Sequence, residues 1–393
     1  MSTISLLVAS TDEHFREMVR ESLLNMPNAK VAAEYPEITL NLYVRVLQDL
    51  ERQPEAALFL DLAGDPETSL KALEKIKQAA PDLYVIAANY AGDAESVIHA
   101  VRSGANDFIQ LPLRRADFRD AITRLERVPR RAVTGGSRLG RVYTFLGVKG
   151  GAGTTTLATN FAGVLAQRKQ NTVLLDLDWS ANDVAMQIGA GAPQHSIWDL
   201  TEAIGRMDQA LFEGLAMRDP LGFLYLGPPD TLMPQGYYLG PMLREASTFL
   251  VEKYDSVVID AGRDVNNELV QTALQVSTTV FLVMTQEYPA IRNAQRYMAL
   301  LAQLGFTVDQ VKILLNNYTK KPGQNLATLE QIQQTLGQQV FYGIPPSPAV
   351  LAAINRGRPF IEDRQAAGDL DRIFRAFVDK ATGRKKEDLA KSA

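Results

Sequence analysis

Along the first 128 residues, short apolar runs alternate with stretches whose apolar positions recur every three to four residues. The runs at 4–9, 57–62, 83–88 and 107–110 predict strands, and the stretches at 12–26, 68–80, 94–103 and 115–127 predict helices. Parallel strands need helical crossovers of this length, so the pattern implies a small doubly wound domain. A larger series follows. Strands are expected at 142–146, 172–177, 223–226, 256–259, 279–283 and 311–315, with helices at 155–168, 238–253, 266–275 and 291–304. Between the two series, 128–141 reads V-P-R-R-A-V-T-G-G-S-R-L-G-R, poor in apolar residues and rich in glycine, proline and arginine. That is a linker, and its arginines are read as a solvated tether in preference to a polyphosphate site. The expected organisation is α/β throughout: a doubly wound domain at 1–128, a linker at 129–140, a second parallel-sheet domain at 141–382 and a polar tail at 383–393.

Composition acts mainly by exclusion. The chain of 393 residues is 46% apolar and 22% charged, which are globular values. It has no cysteine, so disulfides, thiolate zinc sites and cysteine nucleophiles are ruled out, and a reducing compartment suits it. His14, His99 and His195 are too scattered for a triad or a ligand set. Residues 1–130 hold 15 Lys/Arg against 20 Asp/Glu, and the remainder 26 against 25. Neither part has the basic excess that makes DNA a default partner. No stretch of 18 apolar residues occurs, and the start lacks a signal-like segment, so a cytoplasmic protein is expected.

The sharpest chemistry follows the first strand of the second series, in Phe145-Leu146-Gly147-Val148-Lys149-Gly150-Gly151-Ala152-Gly153-Thr154-Thr155-Thr156, which enters a helix. A glycine-rich turn between strand and helix lets successive N–H groups converge, and the helix N-terminus adds a positive dipole end, so the segment suits a triphosphate. It departs from G-x-x-x-x-G-K-[ST]: Val148 stands at the first glycine and Thr154 at the lysine, while Gly153 and Thr155 agree. A tight structural turn is the competing reading; the flanking strand and helix favour a phosphate loop. Val173-Leu174-Leu175-Asp176-Leu177-Asp178 places two carboxylates at the carboxyl end of the next strand, where open α/β sheets bind ligands. Val257-Val258-Ile259-Asp260 ends another apolar strand in an acid suited to Mg2+. One such aspartate is commonplace. Three acids at two strand ends behind one glycine loop are a stronger signal.

These segments resemble the deviant Walker A ATPases of the ParA/MinD group. K-G-G-x-G, L-L-D-L-D, V-V-I-D-x-G, L-L-N-N and I-P-P-S follow one another across nearly all of 141–382. The resemblance implies a ParA/MinD-like P-loop fold that binds ATP and Mg2+, and a nucleotide-sandwich homodimer in which Lys149 contacts phosphate across the interface. It implies that Gly150, Gly151, Ala152, Gly153, Thr154, Thr155 and Thr156 line the nucleotide. Thr155 would coordinate Mg2+, Asp176 and Asp260 would support the metal, and Asp178 would orient the hydrolytic water. Asn316 and the backbone near Pro345 would meet the adenine, although Asn316 also reads as a simple strand terminator. Where the group has a second lysine, this chain has Thr154. A charged contact is worth about 1.5–3 kcal/mol, so binding should weaken roughly ten- to hundred-fold without necessarily vanishing. Transition-state charge then falls to Lys149 and Mg2+, and turnover of ATP is left open.

The first domain resembles a response-regulator receiver. Leu58-Phe59-Leu60-Asp61-Leu62 puts Asp61 at the phospho-acceptor position, and the pattern continues from Gly92-Asp93 through 104–112. The supporting chemistry is gone: Ala9-Ser10-Thr11 stands where paired acids would hold Mg2+, Asn89 at the switch Thr/Ser, and Leu111 at the lysine before Pro112. Asp61 is therefore read as a vestigial phospho-acceptor in a phosphorylation-independent interaction domain, with Asp12 as a helix cap.

A degenerate receiver, an arginine-containing linker, the loop K-G-G-A-G-T-T-T and the segment Q-E-Y-P-A-I-R-N-A-Q-R-Y at 286–297 together resemble the TadZ/CpaE family of pilus assembly proteins. That resemblance implies a localisation factor for a tight-adherence (Flp, type IVb) pilus secretion machine, commonly polar, with pilus machinery as partners and membrane association only through them. The alternatives are a ParA-type DNA-partitioning ATPase, a MinD-like membrane-cycling ATPase and a pseudo-ATPase scaffold. Near-neutral charge argues against the first. For the second, Leu370, Ile373, Phe374, Phe377 and Val378 form an apolar stripe at helical spacing, which ordinary packing explains better than a membrane anchor.

Overall fold

In the computed structural model the described residues are 4–383, apart from 25, 27, 40–41, 91–93, 128–138, 192–193, 230–239, 305 and 323–324. They fall into two units, Met1–Leu139 and Gly140–Ala393. The expected linker lies outside the described residues up to 138, as do Gly92-Asp93 and the tail from 384.

In the first unit, β1 (Ile4–Ala9), β2 (Ala29–Tyr35), β3 (Ala57–Asp61), β4 (Val85–Asn89) and β5 (Asp107–Gln110) form a parallel sheet in the order β2-β1-β3-β4-β5. This is the doubly wound order of flavodoxin-like folds. The expected elements are present, while β2 and the helix Leu42–Arg52 were not anticipated. Four of the seven β2 residues are half-buried at the sheet edge, which blurs the two-residue alternation that marks a strand. Phe15 and Phe118 flank Phe59 in the core, at centroid distances of 5.1 and 5.6 Å.

Asp61 ends β3 and is buried. Its two carboxylate oxygens accept from the Ser10 hydroxyl at 2.6 Å and from the Ala63 N–H at 2.8 Å. The Arg16 guanidinium in turn donates to the Ser10 carbonyl. Asp12 accepts from the His14 N–H at 2.9 Å and caps the helix Glu13–Leu23.

The second unit holds an eight-stranded sheet made of β6 (Arg141–Gly147), β7 (Thr172–Asp176), β8 (Met217–Arg218), β9 (Leu224–Leu226), β10 (Ser256–Asp260), β11 (Thr279–Met284), β12 (Val311–Leu315) and β13 (Val340–Gly343). The order is β13-β12-β11-β6-β10-β7-β9-β8, parallel except for the β8–β9 pair. β6 lies inside, with β10 then β7 on one side and β11 then β12 on the other. The strand order therefore diverges at the carboxyl end of β6, the place where open α/β sheets bind ligands.

Side chains alternate between the two faces. Tyr143, Phe145, Phe281 and Val283 join one core with the helices Thr154–Gln167 and Asp369–Thr382; Leu146, Val280, Leu282 and Met284 join the other. Residues 156–165 are all buried, the pattern of a helix covered on every side. Leu370, Phe374, Phe377 and Val378 are 0–3% exposed in that core, so the terminal stripe is packing. The elements the pattern did not announce are short: Asp183–Gln187, Ile197–Ala203, Gln209–Leu215, Leu329–Leu336, Pro348–Asn355, β8 and β13. None gives more than about two helical turns or two strand repeats, too little for periodicity to register.

Candidate nucleotide site

The loop after β6 is tied to both neighbouring strands. The Gly147 N–H donates to the Gly262 carbonyl at 2.8 Å, beyond β10, and the Val148 N–H to the Val283 carbonyl at 3.0 Å on β11. Gly153 caps the helix Thr154–Gln167 with φ +89°, and a Cβ there would lie 2.2 Å from Asn316 Nδ2, so only glycine fits. Asn316 uses that amide to donate to the Ala152 carbonyl at 2.8 Å, bracing the loop from the end of β12. Lys149, Gly150 and Gly151 form the turn, and Thr155 and Thr156 open the helix. Thr154 is buried, and its hydroxyl lies 2.3 Å from where a Cβ on Gly147 would be, so it packs against the end of β6. Ile344 donates to the Leu315 carbonyl at 2.8 Å and accepts from the Tyr318 N–H at 2.7 Å, which carries Pro345 past the end of β12.

The acids converge on the other side of β6. Asp176 and Asp260 end β7 and β10 as register partners, and both are fully buried. Asp176 accepts from the Asp178 N–H at 2.9 Å and the Val184 N–H at 3.4 Å. Asp260 Oδ1 accepts from the Gly262 N–H at 3.1 Å, whereas its Oδ2 has no hydrogen-bond partner. Burial pushes the Asp260 carboxyl up to about 6, against the opposing influence of the nearby Thr155 hydroxyl. Burial, and then the Asp260 charge, hold Asp176 well above the usual carboxylate range. Asp178 is half-buried; it accepts from the Ser180 N–H at 3.1 Å, and its Oδ2 lies 2.8 Å from where a Cβ on Gly262 would stand. Gly262, with φ +56°, thus leaves room for this carboxylate to approach the end of β10.

An unpartnered carboxylate oxygen beside a hydroxyl, among buried acids that repel one another, fits a hard divalent cation such as Mg2+. Among the described residues no group of three or more His, Cys, Asp or Glu could hold a metal by itself. Phosphate and water would have to complete the shell, as is usual for Mg2+ at phosphate loops.

Three contacts at the site have no signal in the sequence. Lys149 forms an ion pair with Glu287, which immediately precedes the helix Tyr288–Gln303. From the same helix, Asn293 Nδ2 donates to the Val148 carbonyl at 3.0 Å and the Tyr297 hydroxyl to the Arg263 carbonyl at 2.6 Å. One helix therefore grips the loops after both β6 and β10. The stretch 286–297 stood out in sequence, but which of its side chains meet the loop is a tertiary fact.

A glycine loop at a switch point, followed by strand-end acids, defines a P-loop-type nucleotide-binding α/β domain. The CobQ/CobB/MinD/ParA nucleotide-binding domain matches residues 143–360, and the chain belongs to that family. The septum site-determining protein MinD of Thermotoga maritima is 25% identical over 225 residues, covering 56% of this chain and 81% of that protein. Among solved structures, a ParA family ATPase from Chlorobium tepidum superposes with a TM-score of 0.57 at 18% identity, covering 62% of this chain and 98% of its own. MinD from Pyrococcus horikoshii, complexed with Mg-ADP, gives 0.52 at 18%, covering 65% and 99%.

Proposed function

We propose that this chain is an ATP- and Mg2+-binding organiser that works as a nucleotide-dependent homodimer, placing a tight-adherence pilus secretion machine. The proposed division is a receiver-like partner-binding domain at 1–128, a tether at 129–140 and the nucleotide domain at 141–382. The observation that carries the reading is the convergence of the loop 147–155, Thr155 and the orphaned Asp260 oxygen at one switch point. In it, Thr155 and Asp260 would hold Mg2+ with Asp176 behind them, and the metal would supply charge neutralisation to the bound phosphates. Backbone N–H groups of 150–155 would cradle those phosphates, Asp178 would orient water, and Asn316 with the backbone at Pro345 would border the adenine.

Lys149 supports the dimer reading. Its partner Glu287 is 44% exposed, and a pair so open to solvent is worth at most about 1 kcal/mol, so the lysine can be traded to a phosphate at little cost. In the first domain both Asp61 oxygens are engaged by Ser10 and Ala63, which favours an interaction module over a phosphorylated switch. Partners would be pilus machinery proteins, with any membrane association through them, and a cytoplasmic, polar location follows from the same reading. Among the described residues no helix is long and apolar enough to cross a membrane.

Deleting the chain in its own cell tests the assignment. Loss of surface pili with normal septum placement and chromosome segregation is expected. Intact pili with misplaced septa or lost chromosomes would instead make it a MinD- or ParA-type positioning ATPase.

A further inference from the structure

We propose that Arg263 replaces the absent loop lysine, supplying in cis the positive charge that Thr154 lacks toward the terminal phosphates of ATP. The proposal rests on the reading of 147–155 as an ATP site. Thr154 is buried against the end of β6 and brings no charge. The Arg263 guanidinium lies beside the loop: its Cζ, Nε and Nη1 are each 3.9 Å from where a Cβ on Gly150 would be.

The backbone carrying that side chain is fixed on both sides of the site. Gly262 donates to Asp260 Oδ1 at 3.1 Å and accepts from the Gly147 N–H at 2.8 Å. Arg263 itself accepts from the Tyr297 hydroxyl at 2.6 Å. The arginine is thereby tied to the acid that ends β10, to the glycine that opens the loop and to the helix that grips it.

Its charge is also uncommitted. Among the described residues Arg263 is exposed and makes no ion pair, whereas Lys149 is paired with Glu287. A free guanidinium next to a glycine-rich turn at a helix N-terminus suits an anion. Its planar fork can donate two parallel hydrogen bonds to phosphate oxygens.

Mg-ATP titration by calorimetry on the full chain tests this, using wild type, Arg263→Gln and Arg263→Lys, with the nucleotide-free thermal midpoint recorded for each. Arg263→Gln should bind roughly ten- to hundred-fold more weakly. Arg263→Lys should stay within several-fold of wild type, and adding Thr154→Lys to Arg263→Gln should restore most of the loss. The midpoints without nucleotide should be unchanged. Wild-type affinity in Arg263→Gln would overturn the role of Arg263 while leaving the ATP site standing. No binding by wild type would remove the ATP site itself and this proposal with it.

Discussion

Asp260 concentrates the site's electrostatics in a single side chain. Its carboxyl, raised from 3.8 to about 6 by burial, stays protonated in the fold at pH values where the unfolded chain has already ionised. The folded state then binds more protons than the unfolded state, so this group lowers stability as pH rises from about 4 to 6, and the full penalty persists above that. Asp260→Asn keeps an acceptor for the Gly262 N–H and removes the charge. Without nucleotide, it should therefore melt roughly 5 °C higher than wild type at pH 7.5, an advantage that disappears near pH 4. With saturating Mg-ATP the order should reverse, since only wild type keeps the carboxylate proposed to hold the metal. Thermal melts across that pH range check both signs, and a variant less stable than wild type at pH 7.5 without nucleotide would contradict the assignment. Asp260, Asp176 and Thr155 were all visible in the sequence, because a long apolar run that stops at an acid marks the end of a buried parallel strand. Glu287 and Arg263 were not. They are ordinary surface charges by sequence, and only the packing of 288–303 and the turn after β10 bring them to the loop.

At the scale of elements, the nucleotide domain depends on two helices with different duties. Tyr288–Gln303 positions the loops, through Asn293 and Tyr297. Asp369–Thr382 closes the core under the helix that starts at Thr154, with Phe377 5.6 Å from Phe161 and 5.3 Å from Phe281. Phe377 is fully buried, so Phe377→Ala should cost about 3–5 kcal/mol. A denaturant midpoint for the second unfolding unit measures this; a loss below about 1 kcal/mol would mean the terminal helix is peripheral. The long elements were legible because ten or more residues of helical period, or a continuous apolar strand, leave few alternatives. The edge strand β2 and the two-turn helices carry too little pattern, and their places are decided by what they pack against.

The whole molecule joins two doubly wound units of unlike fate. The first has a flavodoxin-like sheet order, and Ser10 and Ala63 each engage one carboxylate oxygen of Asp61. The second gathers the loop 147–155, Asp176 and Asp260 at one switch point, with Thr154 buried and uncharged in the loop. On the proposed function, such a loop still binds Mg-ATP and couples it to self-association. Calorimetric titration with Mg-ATP, read beside solution molar mass with and without nucleotide, tests it most directly. Wild type should bind and shift from monomer to dimer, and Lys149→Ala should bind yet shift far less at saturating nucleotide. No binding at millimolar Mg-ATP, or a Lys149→Ala variant that dimerises as fully as wild type, would contradict it.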